Sequence, residues 1–233
     1  MSTEKKDLED GCFAQTFERK YYHREDVFIK RNLRPREYRT GYRCLHVPRL
    51  GKERLMNEAA ALRYIRQHTD IPVPRLYLDF EDDEAYYLAT EYIEGVGMSS
   101  LSEEQRAIVN KELSIHLAKL KTVRSNRIGG PSGLVIPSYR VMRQIKTDDW
   151  RLQVSDQDEF VFCHNDLSQQ NVIVDPDMLK INAIIDWEYA GFYPEYFERP
   201  FYTRLGPSVA VGDEVDDSEK LLEFLRSRSE EAT

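Results

Sequence analysis

The stretch Phe162-Cys-His-Asn-Asp-Leu-Ser-Gln-Gln-Asn-Val-Ile-Val-Asp-Pro-Asp-Met-Leu-Lys-Ile-Asn-Ala-Ile-Ile-Asp186 decides how the chain is read. Two short apolar runs, Val172–Val174 and Ile181–Ile185, flank Asp175-Pro176-Asp177. Proline fixes φ and aspartate favours turns, so the segment predicts a β-hairpin. A register centred near Met178 sets Asn171 opposite Asp186 at the open end. Opposed residues of an antiparallel pair stand roughly 4.5–5.5 Å apart, which lets a carboxamide oxygen and a carboxylate share a hard cation. Mg²⁺ takes such oxygen ligands and leaves positions for water and phosphate.

Just before the hairpin, His164 and Asp166 stand in the order His-x-Asp-x-x-x-x-Asn. In kinase chemistry the Asp of such a loop takes the proton of the attacking hydroxyl, the Asn holds one Mg²⁺ and a later Asp after a strand holds another. Any one Asp or Asn in a polar loop is usually only a turn former. The whole set, in a strand–loop–hairpin context that ends on Asp186, points to phosphoryl transfer. Upstream, Lys30 closes the run Val-Phe-Ile-Lys and matches the strand lysine that contacts the α- and β-phosphates in kinases. Arg49–His68 has helical periodicity, with Leu55, Leu62 and Ile65 on one stripe and Glu58 on the same stripe. An inward glutamate needs a positive partner, and Lys30 is the candidate. The bland alternative places Glu58 at the stripe's edge, reaching solvent.

With His164-Asn-Asp166, Asn171 and Ile184-Ile185-Asp186-Trp187-Glu188, the region Phe162–Gly191 resembles the aminoglycoside phosphotransferase family of small-molecule kinases, and within it the large fungal branch. Val27–Gly95 and Phe192–Leu225 share the resemblance more loosely. It implies an α+β, two-lobed protein-kinase-like fold: a small antiparallel-sheet lobe with one helix, and a mostly helical lobe carrying the catalytic hairpin. The lobes are expected at 1–93 and 94–233. It further implies ATP and Mg²⁺ as cofactors and a hydroxyl-bearing small molecule as acceptor. Asp166 is then the base, His164 a brace for its loop, and Asn171 and Asp186 the metal ligands. Lys30 and Glu58 serve the nucleotide phosphates, and Glu91-Tyr92-Ile93 is the hinge whose backbone meets the adenine edge.

The sequence departs from the kinase pattern at three places. No Gly-x-Gly-x-x-Gly precedes Lys30. Asn165 stands where protein kinases carry Arg. The stretches Asn126–Phe160 and beyond Asp186 are short for the family, which implies a compact acceptor site. These departures keep a second reading open, a non-catalytic pseudokinase-like module that binds nucleotide or a protein. A third, a metallohydrolase using His164, Asp166 and Asp186, lacks further residues at ligand spacing.

A chain of 233 residues is long enough for one large domain or two small lobes. Its formal net charge of −8 argues against a nucleic-acid partner. Three cysteines, Cys12, Cys44 and Cys163, do not make a disulfide framework, and Cys163 reads as a small buried hydrophobe. The N-terminal ten residues lack a signal-peptide core and no run approaches the ~20 apolar residues of a membrane span, so the expectation is a soluble, cytoplasmic protein. Residues 1–11 read as frayed.

Strands are expected over Phe13–Tyr22 and Val27–Lys30, then over Arg75–Phe80 and Ala85–Ile93 around an acidic turn. Between them, the basic run from Lys30 to Arg54, including Arg31, Arg34, Arg36, Arg39, Arg43, Arg49 and Lys52, reads as an exposed charged surface. Ser102 and Gln105 form a capping box ahead of a helix from Glu103 to about Val123, with His116 at the core edge. Residues 138–158 read as a short helix and strand or as a substrate-facing loop. Trp187–Tyr202 is expected to pack beneath the metal site, and Val215–Arg228 to form a short amphipathic helix.

Overall fold

Aromatic and β-branched residues near the start of the chain build a sheet. In the computed structural model, which describes residues 9–41 and 44–229, β1 (Cys12–Gln15), β2 (Arg19–Arg24) and β3 (Val27–Asn32) form an antiparallel meander. The single strand expected over Phe13–Tyr22 is interrupted. Thr16 Oγ1 accepts from the N–H groups of Glu18 at 3.2 Å and Arg19 at 3.0 Å, and this local turn competes with extended backbone. The short pair β4 (Arg39–Thr40) and β5 (Leu45–His46) follows, then α1 (Gly51–His68), β6 (Leu76–Asp82) and β7 (Ala85–Glu91). Asp83 and Glu84, at φ 45° and 61°, make the tight turn between β6 and β7, the backbone geometry that suits twisted two-residue hairpins. The five-stranded sheet runs β1-β2-β3-β7-β6.

The chain divides into two compact units, residues 1–56 with 75–92 and residues 57–74 with 93–233. The second unit thus includes the larger part of α1, where the sequence reading placed the division after Ile93 alone. In it, β8 (Val96–Gly97) leads to α2 (Glu103–Leu120), β9 (Arg124–Ser125), the single-turn α3 (Tyr139–Met142) and β10 (Phe160–Cys163). The hairpin β11 (Val172–Val174) and β12 (Ile181–Ile184), then β13 (Gly191–Tyr193) and α4 (Ser218–Ser227), complete it. Two three-stranded sheets, β13-β10-β9 and β12-β11-β8, bracket the segment from His164 to Asn171.

Helix α2 starts where its capping box predicts, Ser102 Oγ accepting from Gln105 N–H and Gln105 Oε1 from Ser102 N–H. Its buried stripe, Val109, Leu113, Leu117 and Leu120, joins a core with Phe160, Phe162, Val172, Val174, Trp187 and Leu221. The helix ends at Leu120 rather than Val123. Gly95, at φ 132°, lies where a Cβ would come 2.5 Å from the Val174 carbonyl oxygen. Its role is therefore close packing under β11 rather than looseness alone. Residues 138–158 contribute only α3, and Arg140 within it is 3% exposed. No helix among the described residues is long and apolar enough to cross a membrane.

The basic run of the first unit is not simply an exposed surface. Arg31 is fully buried and Arg54 5% exposed. Arg43, and residues 1–8 of the stretch read as frayed, lie outside the described residues. Arg31 donates to both carboxylate oxygens of Glu37, at 2.6 and 2.7 Å, to Glu9 at 2.8 Å and to the Tyr22 hydroxyl at 2.9 Å. Lys20 reaches Glu37 at 2.8 Å, and the Arg34 N–H donates to the same carboxylate at 2.8 Å. Burial alone would raise the Glu37 carboxyl, but the Arg31 and Lys20 contacts and the Arg34 N–H outweigh it and hold the group well below the usual range. A carboxylate so depressed contributes stability above its ordinary titration range and loses it as pH falls. Truncating one partner of a buried ion pair costs about 3–5 kcal/mol. Glu37→Ala is therefore expected to destabilise the first unit by about that much at pH 7, read as faster hydrogen exchange of the β2 and β3 amides, with the difference from wild type shrinking below the ordinary glutamate range.

Candidate active site

Strand β10 is buried on both faces and delivers the chain straight into His164, which is fully buried. From His164 to Asn171, Asp166 and Gln170 are the residues that are not buried. The imidazole braces the loop from within. Its Nε2 donates to the Ile185 carbonyl at 2.9 Å and its Nδ1 accepts from the Asp166 N–H at 3.2 Å. A carbonyl can only accept and an amide N–H only donate, so these partners select the neutral tautomer with the proton on Nε2. The ring also packs on Trp187, centroids 4.5 Å apart, and Trp187 Nε1 donates to the Ile184 carbonyl at 2.8 Å.

Asn171 donates through Nδ2 to the Asp166 carbonyl at 2.8 Å. That bond fixes the carboxamide plane and commits the nitrogen. The Asn171 Oδ1 then accepts no hydrogen bond among the described residues. The hairpin register differs from the sequence expectation by one residue. Val172 pairs with Ile184 and Ile173 with Ala183, with an irregularity before Val174 that pairs it with Ile181. Asn171 therefore faces Ile185, whose N–H donates to the Asn171 carbonyl at 2.9 Å. A one-residue slip would normally turn a side chain to the other face. Here Asp186 lies beyond the strand in the left-handed region, φ 63° and ψ 53°, and the chain turns there instead of alternating. One residue past a paired position, its Cα lies within roughly 9 Å of that of Asn171.

The donor set fits a hard cation: an amide oxygen with no other partner and a carboxylate, with phosphate and water to complete the shell. Among the described residues, no group of three or more His, Cys, Asp or Glu side chains gathers as a metal cluster.

Two groups that sequence reasoning missed hold the loop from behind. Glu198 Oε2 accepts from the N–H of His164 and, at 3.2 Å, from that of Asn165. Arg140 donates to the Phe197 carbonyl at 2.7 Å and, more weakly, to the Asn165 carbonyl at 3.4 Å, while Asp217 at 2.9 Å balances its charge. Asn165 adopts φ 67°, and its Nδ2 donates to the Tyr189 carbonyl at 3.0 Å. One carboxylate thus gathers two successive N–H groups just ahead of the left-handed residue's Cα. No local pattern announces such contacts, because the partners lie more than twenty residues away.

Cys163 is fully buried, and burial pushes its thiol up, so it is the small hydrophobe that the sequence implied. Burial lowers the His116 pKa, and neither ring nitrogen has a hydrogen-bond partner. A cleft of about 410 Å³ beside Glu198 and Tyr202 includes neither Asp166 nor Asn171.

The remaining expected residues fall elsewhere. Lys30, 8% exposed, stands near the end of β3 in the first unit, and Glu58, 3% exposed, is on α1 in the second. Glu58 is thus buried rather than at a solvated edge. At the expected hinge, the Glu91 N–H donates to Arg75 and the Tyr92 N–H to Asp26. Both donors are consumed inside the first unit, and Tyr92 is held further by stacking on His23 at 3.9 Å. Ile93 keeps its N–H and carbonyl without a protein partner among the described residues.

Comparison with known proteins shows the fold and a local sequence likeness. The fold is that of the protein-kinase-like aminoglycoside phosphotransferases. The chain superposes on APH(3'')-Id from Streptomyces rimosus, solved with ADP and streptomycin, with TM-score 0.55, 16% identity and coverage of 95% of this chain and 86% of that one. APH(4)-Ia, solved with AMP-PNP and hygromycin B, gives TM-score 0.51, 15% identity and coverage of 78% and 66%. In sequence, mouse ethanolamine kinase 2 is 27% identical over 165 residues, 61% of this chain and 40% of the relative. Aminoglycoside 3'-phosphotransferase of Streptomyces fradiae is 28% identical over 154 residues, 57% of each. The chain thus spans about half the length of these curated relatives. Residues 133–198, which carry the whole loop and hairpin, match the phosphotransferase enzyme family. The likeness to that family is thus concentrated in the segment that carries the loop and hairpin.

Burial is the largest influence on the Glu198 carboxyl and raises it, opposed by the His164 and Asn165 N–H groups and Arg140. A carboxyl raised in the folded state contributes most below its unfolded value and loses that contribution as pH rises through the folded one. Glu198→Gln keeps an oxygen for the two N–H groups but cannot ionise. Its urea midpoint is expected to stay flat with pH where that of wild type falls from the ordinary glutamate range upward, by at most about 1.4 kcal/mol per pH unit.

Proposed function

We propose that the chain is an ATP- and Mg²⁺-dependent phosphotransferase of the family's fungal branch, moving the γ-phosphate to a hydroxyl of a small molecule in the cytoplasm. The observation that carries the reading is the tether between Asn171 Nδ2 and the Asp166 carbonyl, with His164 holding the N–H of the same residue. It holds a half-buried carboxylate at a fixed place in an otherwise mostly buried loop, as a base for an incoming hydroxyl requires.

In this reading Asp166 accepts a hydrogen bond from the acceptor hydroxyl, orients it, and takes its proton as the new bond to the γ-phosphorus forms and the bond to the bridging oxygen breaks, ADP leaving. Asn171 Oδ1 and the Asp186 carboxylate would hold Mg²⁺, which would neutralise phosphate charge. His164 touches no substrate and works by fixing the loop. Lys30 and Glu58 are each assigned to the nucleotide phosphates, and the hinge Glu91-Tyr92-Ile93 offers its adenine contact through Ile93, since the two preceding N–H groups are engaged. Positioning and charge neutralisation supply most of the acceleration in phosphoryl transfer.

A second reading, nucleotide binding without catalysis, is favoured by one observation. The β1–β2 turn is Thr16-Phe17-Glu18, with no glycine to bring backbone N–H groups against phosphates. One experiment separates the two. ATP with Mg²⁺ is expected to raise the melting temperature of wild type and of Asp166→Asn alike. Slow ADP release by wild type should fall about 10²–10⁴-fold in Asp166→Asn. Turnover that survives the substitution removes Asp166 as base, and equal inactivity of both proteins supports the binding module.

A further inference from the structure

A second cleft, of about 440 Å³, lies in the second unit between α2 and the segment 203–205. Its wall includes Gln169, from the loop that joins Asp166 to Asn171. Three peptide units separate Asp166 from Gln169, so their Cα atoms are at most roughly 11 Å apart. One small molecule can cover that span.

The cleft has an unusual polar demand. Gln169 is 2% exposed; its Nε2 donates to the Tyr202 carbonyl at 3.0 Å, while its Oε1 is sealed from solvent and meets no donor. Across the cleft, the side chain of Asn110 makes no hydrogen bond, and its Oδ1 is likewise sealed without a donor. Buried amide oxygens normally find partners, and two orphans on one cleft are left unexplained by the fold. Terminal amide torsions have broad wells, so Asn110 can turn its amide to a ligand without losing a bond, while Gln169 exchanges its Tyr202 bond for one to the ligand.

Charge chooses among ligands. Arg106 is committed to the Leu101 carbonyl at 2.7 Å. Arg204 is committed to Glu214 at 2.5 and 2.7 Å and to the Val209 and Pro207 carbonyls. Arg204 is therefore neutralised, while Arg106 spends one N–H on a carbonyl and keeps its charge, which the single carboxylate of the wall formally balances. Glu103 is the one carboxylate of the wall, an exposed residue in the first turn of α2 where the helix dipole accommodates it. A polycation would need several carboxylates. The geometry points to a subsite for an uncharged polyhydroxy compound, a polyol or a free sugar, whose hydroxyls donate to Asn110, to Gln169 and to Thr203 Oγ1, whose own proton goes to the Pro200 carbonyl. The assignment of this ligand as the acceptor rests on the phosphotransferase reading; its binding does not.

Ala107 lines the cleft from an exposed position of α2, so Ala107→Trp fills the space without entering the core, and Asn110→Leu removes one orphan oxygen without breaking a bond. Saturation-transfer NMR without nucleotide, using sorbitol and myo-inositol as polyols and ethanolamine as a cation, reads the site directly. At least one polyol is expected to bind wild type, at least tenfold more weakly to both variants, and at least tenfold more tightly than ethanolamine. ADP release from Mg-ATP should rise with that polyol in wild type and not in Ala107→Trp, whose ATP-induced melting shift stays unchanged. Absence of polyol binding, binding that survives Ala107→Trp, or preference for ethanolamine overturns the proposal. If wild type shows no ATP-induced shift, the phosphotransferase reading falls instead, and the NMR result still decides whether the polyol site exists.

Discussion

The His164 imidazole is the piece on which the rest of the second unit's site depends. It bridges two backbone segments, the Asp166 N–H and the Ile185 carbonyl, from a position with no access to solvent. Remove it and a donor and an acceptor lose their partners in the core. Each unsatisfied group costs about 1–3 kcal/mol, and the two strands that frame the site lose their common tie. A methylene chain would fill the space but could not both donate and accept. The imidazole at neutral pH does both through one rigid ring.

The loop so tied departs from ordinary backbone at two points, Asn165 at φ 67° and Asp186 at φ 63°. A non-glycine residue in this region carries strain of order 1–3 kcal/mol. At Asn165 the strain is offset by Glu198, which gathers two N–H groups, by Arg140 on the carbonyl and by the Asn165 amide on Tyr189. At Asp186 the turn leads into Trp187, which is fully buried and anchored through its indole N–H. The strained residues sit beside the carboxylates assigned to chemistry, and the residues that restrain them are large and buried. Strain kept in place by over-determined packing is how a loop keeps one conformation in the absence of ligand.

Local signals in the sequence proved reliable where the physics is local. The Ser102–Gln105 cap, the 172–184 hairpin and the α2 stripe all follow from contacts within a few residues, and each is present. The hairpin register was legible only to within one residue, because turn length and the irregularity at Val174 change the count without changing the apolar pattern. The break at Thr16 carried a readable signal, a hydroxyl ahead of two residues that turn on it, but aromatic content masked it. The buried state of Arg31 had none. Its partners Glu9 and Glu37 lie on either side in sequence, and only the fold shows that they converge. Glu198 and Arg140 were invisible for the same reason, since a carboxylate on a backbone more than thirty residues away leaves no periodicity to detect.

The economy of the chain fits this division between local and distant contacts. In the described residues the region 126–159 contributes one helical turn and two isolated bridges, Gly129 with Phe192 and Leu152 with Ser229, yet it supplies Arg140 and so reaches the loop at Asn165. The segment after Asp186 is likewise sparse in regular structure, but Phe197, Phe201 and Glu198 come from it, and Phe201 stacks under Arg140 at 5.3 Å. A short chain that cannot surround its loop with helices can still restrain it by threading single buried side chains to its backbone.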